Sequence, residues 1–170
     1  MQVFLIGMMG SGKTFWAEKI AHANNMLHID LDIYIEIKEK KKIQEIFEIY
    51  GEEYFRQLEN KYLLEIILSK KSALISTGGG TPCFGNNLSA MLESGIVCYL
   101  KTDIKTLADR IKKDHSVRPL LKNIALENME SYLNNILLTR EKNYIKATHI
   151  IEMNKINELT FAQNFKHEYC

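Results

Sequence analysis

The 170-residue sequence predicts an α/β fold, a central five-stranded parallel sheet with helices on both faces. Short apolar runs alternate with longer stretches of helical periodicity along the whole chain. A glycine-rich loop, Gly7-Met8-Met9-Gly10-Ser11-Gly12-Lys13-Thr14, joins the first apolar run to the first helical stretch. Two later strands run straight into functional-looking residues, Asp30-Leu31-Asp32 and Gly78-Gly79-Gly80. In an open α/β sheet these are delivered to one crevice, beyond the carboxyl ends of the strands.

Val3-Phe4-Leu5-Ile6 reads as a buried strand and Phe15 to Ala21 as a helix. Strand, loop and helix give the context of a phosphate-binding P-loop, with Gly, four residues, Gly, Lys and Thr in sequence. The glycines let phosphate oxygens approach the main chain. The loop N–H groups then converge on one anion at the positive end of the helix. Gly10, Ser11, Gly12, Lys13 and Thr14 are the expected nucleotide contacts. Lys13 would hold the β- and γ-phosphates, and the Thr14 hydroxyl would ligate Mg²⁺. The alternative, a turn that binds nothing, has no need of Lys and Thr together at its end. A nucleoside triphosphate is therefore the expected ligand.

Met26 to Asp30 reads as the second strand, with Asp30 and Asp32 at the loop's edge of the sheet. Metal and acceptor-hydroxyl roles suit two acids there; the rival reading is that one of them caps the helix near Ile33. Glu36 to Lys42 reads as a solvated helix end. Ile43, Ile46, Phe47 and Tyr50 recur at helical spacing and are expected to face the core, with Gly51 ending that helix. Glu52 to Ser69 reads as a helix with Phe55, Leu58, Tyr62, Leu63 and Ile66 as its apolar stripe. Arg56 and Glu59 can pair on it, and taken alone Arg56 reads as half of a surface ion pair. Ala73 to Thr77 is the third strand, and Gly78-Gly79-Gly80 exposes backbone to the crevice, unless it is only a flexible turn. Asn86 to Ser94 reads as a helix, Ile96 to Leu100 as a strand and Ile104 to Lys112 as a helix. Residues 113–123 have little apolar periodicity and contain Arg118-Pro119-Leu120-Leu121, a pattern that suits a phosphoryl-transfer lid as well as a plain loop. Leu126 to Lys146 reads as helix, His149 to Ile151 as the fifth strand and Glu158 onward as a last helix.

The totals exclude several function classes. A net charge of +1 gives no bulk attraction to nucleic acid or an anionic membrane. No basic stripe with interleaved aromatics is present, and no apolar run approaches a membrane span. Cys83, Cys98 and Cys170 have neither disulfide-framework nor zinc spacing, so reduced thiols are expected. With the loop beginning at Gly7, no signal peptide is expected, and the setting expected is cytoplasmic. One domain, 1–170, is expected.

Taken together, the motifs resemble the shikimate kinase family of small P-loop kinases, from the loop to about Tyr144. The resemblance rests on GMMGSGKT, Asp30-Leu31-Asp32, Ile46-Phe47 with Gly51-Glu52, Phe55-Arg56-Gln57-Leu58-Glu59, Thr77-Gly78-Gly79-Gly80, Arg118-Pro119-Leu120-Leu121, and Arg140 four residues before Tyr144. It implies a three-layer P-loop kinase fold with an acceptor-binding subdomain at about 31–60 and a lid at about 113–123. It implies transfer of the γ-phosphoryl group of ATP to the 3-hydroxyl of shikimate, with Mg²⁺, in chorismate and aromatic amino-acid biosynthesis. Lys13, Asp32 and Arg118 would be catalytic, Asp32 contacting the acceptor hydroxyl and Arg118 stabilising charge from the lid. Thr14 and, through water, Asp30 would hold the metal. Arg56 and Arg140 would grip the shikimate carboxylate, with Gly78, Gly79 and Gly80 lining the acceptor and Gly79 and Gly80 as backbone donors to it, and Arg110 would stack on adenine. A monomer is expected.

The chain departs from the family in three places. Lys40-Lys41-Lys42 stands where a glycine is common before the Ile43 helix. Phe15-Trp16-Ala17 follows Thr14, a bulky pair expected to pack inward, with Ala17 where Gly is common. The tail after Glu152 differs, including the region of adenine contacts near Asn154. Rival readings are a small P-loop kinase acting on gluconate or a nucleoside monophosphate, and a regulatory protein that binds nucleotide without transfer.

Overall fold

The computed structural model describes residues 1–113 and 124–170. The strands are β1 (Gln2–Ile6), β2 (Leu27–Asp30), β3 (Ala73–Ser76), β4 (Ile96–Lys101) and β5 (His149–Glu152). The helices are α1 (Lys13–Ala23), α2 (Leu31–Glu39), α3 (Ile43–Leu68), α4 (Asn87–Ser94), α5 (Ile104–Lys113), α6 (Met129–Tyr144) and α7 (Phe161–Tyr169). Short 3₁₀ turns lie at Thr81–Cys83 and Leu126–Asn128. All strands pair in parallel in the order β2-β3-β1-β4-β5, the expected five-stranded sheet.

β1 is central because both of its faces are apolar. Phe4 and Ile6 point into one core with Ile35, Leu63, Met91, Leu107 and Leu133. Val3 and Leu5 point into the other with Trp16, Ile20, Phe161 and Phe165. All four strand residues are fully buried, each burial stabilising by about 1.5–3 kcal/mol. The chain leaves β1 for β2 and β3 on one side of the sheet, and later reaches β4 and β5 on the other. The glycine-rich loop thus emerges at the topological switch point, where an α/β sheet opens a crevice.

The helix ends at Gly51 as expected: with φ 79° the chain leaves the helix there, which divides Ile43–Leu68 into two helical segments. Other local expectations need correction. Of the residues expected to face the core, only Ile46 is buried; Tyr50 is exposed, and Ile43 and Phe47 are half-buried. The stripe from Phe55 to Ile66 is buried as expected. Trp16 packs inward, edge-on to Phe161, but Phe15 stays half exposed under the Lys19 ammonium. The last two helices are shorter than their sequence patterns, α6 beginning after a 3₁₀ turn and α7 at Phe161. The expected lid, apart from Lys113, falls outside the described residues, as does Arg118.

The Glu36–Lys42 run does more than solvate a helix end. Glu36 accepts from the Ile43 N–H at 3.0 Å and from Lys42 Nζ at 2.8 Å, and Glu45 accepts from the Lys42 N–H at 2.7 Å. These acids satisfy N–H groups at the start of α3. Lys40, the last residue before the turn, sits in the left-handed region at φ 53°. A side chain there is strained, and glycine is not. Lys40→Gly is expected to raise stability by about 0.5–1 kcal/mol, since relief of strain outweighs the added freedom of the unfolded chain. Thermal melting checks this; an unchanged or lower melting temperature would show that Lys40 contributes contacts worth more than the strain.

Candidate active site

The phosphate loop is shaped by glycines with positive φ, 81° at Gly10 and 87° at Gly12. A Cβ at Gly10 would lie 3.2 Å from Ile111 Cγ1 and 3.3 Å from the Leu107 carbonyl, so α5 presses on the loop from outside. Gly12 caps α1 without a side-chain hydrogen bond, which leaves the first N–H groups of the helix for an anion. Lys13 is buried and donates to the Gly7 and Met8 carbonyls at 2.9 Å each. The Ser11 hydroxyl is buried with no hydrogen-bond partner among the described residues. Arg110, nearly two helical turns into α5, donates to the Gly10 carbonyl at 3.2 Å from the outer side of the loop.

The two aspartates at the end of β2 divide their tasks. Asp30 is the helix cap: its Oδ1 accepts from the Asp32 and Ile33 N–H groups at 3.0 and 3.2 Å. Its Oδ2 accepts from the Thr14 hydroxyl at 2.8 Å and the Ser76 hydroxyl at 2.9 Å. Asp32, in the first turn of α2, turns into the cleft, and its Oδ1 is shut off from water with no partner among the described residues. Burial pushes the Asp32 carboxyl up from 3.8 to about 7, helped by the charges of Glu59 and Asp30 and opposed by Lys13 and Arg56.

The facing wall comes from α3, the glycine run and α6. Arg56 donates from Nε and Nη2 to Glu52, at 3.1 and 2.7 Å, and from Nη1 to Glu59. It also stacks on Phe84, 4.3 Å from the ring centroid. With Glu59 fully buried, this is not the surface pair that Arg56 read alone suggests. Glu59 in turn accepts from the Thr81 hydroxyl. A Cβ at Gly80 would lie 2.6 Å from Arg56 Nη1, one at Gly78 2.7 Å from Glu59 Oε1 and 3.3 Å from Asp32 Oδ1, and one at Gly79 3.5 Å from Arg140 Nη1. The three glycines therefore let the arginines and acids close on the backbone. Arg140 Nη1 is buried with no partner among the described residues. Tyr144, one turn further along α6, is fully buried and donates to the Gly79 carbonyl, which fixes the glycine run.

These groups line one cleft of about 540 Å³ that contains Gly10, Gly12, Lys13, Thr14, Asp32, Arg56, Gly78, Gly79, Gly80 and Arg140. Ser11 lies within the loop, Asp30 behind Thr14, and Arg110 against the loop's outer side. Sequence reasoning did not assign site roles to Glu59, Tyr144 or the apolar wall of Ile43, Phe47 and Phe55. The spacing of Glu59 from Arg56 was a usable signal. Ile43 and Phe47 have the spacing of a core stripe, and nothing in the sequence distinguishes a core from a cleft wall.

A P-loop at the switch point of a parallel sheet, facing an acid and two arginines across one cleft, defines a small P-loop phosphotransferase of the kinase class. The family model described as shikimate kinase matches residues 9–169, and the chain belongs to the shikimate kinase family. It is 39% identical to shikimate kinase of Azobacteroides pseudotrichonymphae over 163 residues, 96% of each chain. It is 40% identical to that of Flavobacterium johnsoniae over 149 residues, 87% of each. A crystal structure of shikimate kinase from Bacteroides thetaiotaomicron superposes with TM-score 0.90 at 30% identity, covering 98% of this chain and 97% of that one. Acinetobacter baumannii shikimate kinase in complex with shikimate gives 0.87 at 34% identity, covering 98% and 90%.

The Asp32 shift has a measurable consequence. The folded chain keeps the proton up to about pH 7, whereas the unfolded chain loses it near 3.8. Stability from this group is therefore highest below the lower value and falls as pH rises to the upper one. Asp32→Asn is expected to melt higher than the parent at pH 8, with the gain shrinking toward pH 5. A gain independent of pH, measured by calorimetry on the nucleotide-free protein, would contradict the shift.

Proposed function

We propose that the chain transfers the γ-phosphoryl group of ATP to the 3-hydroxyl of shikimate. One observation carries the reading. The cleft holds an unpartnered buried acceptor, Asp32 Oδ1, and an unpartnered buried donor, Arg140 Nη1. A ligand bearing both a hydroxyl and a carboxylate satisfies both, and each orphan otherwise costs about 1–3 kcal/mol. Of the five N–H donors of Arg56, three are used on Glu52 and Glu59, which leaves two for a carboxylate.

In this reading the loop N–H groups and Lys13 hold the phosphates. Asp32 accepts the hydrogen bond of the attacking hydroxyl and orients it, and its raised pKa suits it to take up the proton. Arg56 and Arg140 hold the carboxylate end, so the hydroxyl is fixed in line with the phosphorus. Arg118 is proposed to add charge from the lid, and Arg110 to face the adenine. No group of three or more His, Cys, Asp or Glu side chains among the described residues is placed to hold a metal. The donors at the loop are instead one hydroxyl and one carboxylate, Thr14 and Asp30, in contact at 2.8 Å. That sparse oxygen set fits Mg²⁺, which keeps several waters and takes its remaining ligands from phosphates. Thr14 would bind it directly and Asp30 through water, and the ion would supply neutralisation of phosphate charge. A cytoplasmic, monomeric enzyme of chorismate biosynthesis completes the proposal; no helix among the described residues is long and apolar enough to cross a membrane.

The test is ADP release from MgATP with shikimate, gluconate or AMP. Stimulation by shikimate alone is expected, and its loss by at least 10²-fold in Asp32→Asn with nucleotide binding retained. Stimulation by gluconate or AMP would refute the acceptor assignment. Arg140→Ala is expected to raise the acceptor KM by tenfold or more while the ATP KM changes little; equal changes in both would remove Arg140 from the carboxylate site.

A further inference from the structure

We infer that His28 is a positioning residue for the metal side of the site, acting through Ser76 on Asp30. The inference rests on the proposed reading of Thr14 and Asp30 as the Mg²⁺-side pair. His28 lies on β2, two residues before Asp30, so both side chains leave the same face of the strand. Asp30 pairs in register with Ser76 of β3, which puts Ser76 beside both. The contacts form one line: His28 Nε2 to Ser76 Oγ at 3.1 Å, Ser76 Oγ to Asp30 Oδ2 at 2.9 Å, and Thr14 Oγ1 to the same Oδ2 at 2.8 Å.

The donor count gives this line a direction. A carboxylate only accepts, so Ser76 and Thr14 each spend their single hydroxyl proton on Asp30. Thr14 is then left with its lone pairs free for a cation. Ser76, having spent its proton, can only accept from His28, so Nε2 carries the hydrogen. The imidazole thus holds the Ser76 hydroxyl in the rotamer that donates to Oδ2. Asp30 is in turn pinned at its other oxygen by the Asp32 and Ile33 N–H groups. Without His28, the Ser76 hydroxyl is free to rotate, and Oδ2 loses one of its two fixed donors. Groups that orient a metal-side ligand in this way typically matter by about 10–100-fold in metal affinity.

The experiment titrates Mg²⁺ calorimetrically into the full chain with a non-hydrolysable ATP analogue, comparing the parent with Asp30→Asn, His28→Leu, His28→Gln and Ser76→Ala. Alongside it, long-range proton–nitrogen NMR reads the His28 tautomer. Expected are weakening by about tenfold in His28→Leu and Ser76→Ala, recovery in His28→Gln, which restores an N–H donor, and an Nε2-protonated ring. Melting temperatures control for folding. Unchanged Mg²⁺ affinity in His28→Leu while Asp30→Asn weakens it would overturn the role of His28 alone. Failure of Asp30→Asn to weaken it would overturn the metal-side reading beneath. An Nδ1-protonated ring, or no recovery in His28→Gln, would also refute the inferred relay.

Discussion

The Asp30 carboxylate, behind Thr14, joins three segments of the fold. It takes hydroxyl protons from Thr14 at the start of α1 and Ser76 at the end of β3, and backbone protons from the first turn of α2. One side chain therefore sets the phosphate loop, the strand that carries the glycine run, and the helix that carries Asp32 in one frame. Two of the four bonds that satisfy this carboxylate also cap α2.

The facing wall of the cleft is built on a different balance. Glu59 is fully buried, and a buried carboxylate is tolerable only when paired and hydrogen-bonded. Arg56 and Thr81 meet that demand, and in doing so hold the Arg56 guanidinium beside Gly80. Asp32 is left without such a partner. Its environment contains two other acids as well as two cations, and burial decides the outcome in favour of the proton. Glu59 is thus satisfied within the protein, whereas Asp32 Oδ1, facing the same cleft, has no partner among the described residues.

Much of this was legible in order along the chain. The glycine-lysine-threonine spacing and the strand ends at Asp30 and Gly78 are local patterns whose chemistry does not depend on what lies opposite. Other residues were misread for a common reason. Phe47 and Phe15 are apolar at helical spacing, and periodicity reports the face of a helix but not whether a neighbour covers it. Arg56 looked like a surface pair because its partner's burial depends on Thr81, which lies 22 residues from Glu59 in the sequence.

By itself, then, the sequence determined the alternation of strands and helices, the parallel sheet and the phosphate loop, because each follows from spacing over a few residues. Tertiary structure alone decided which acid caps and which stays unpaired, that Glu59 and Tyr144 brace Arg56 and the glycine run, and that His28 reaches Asp30 through Ser76. Those outcomes arise from strand register and from burial, and both are set by segments far apart in the chain, whose contacts no local pattern encodes.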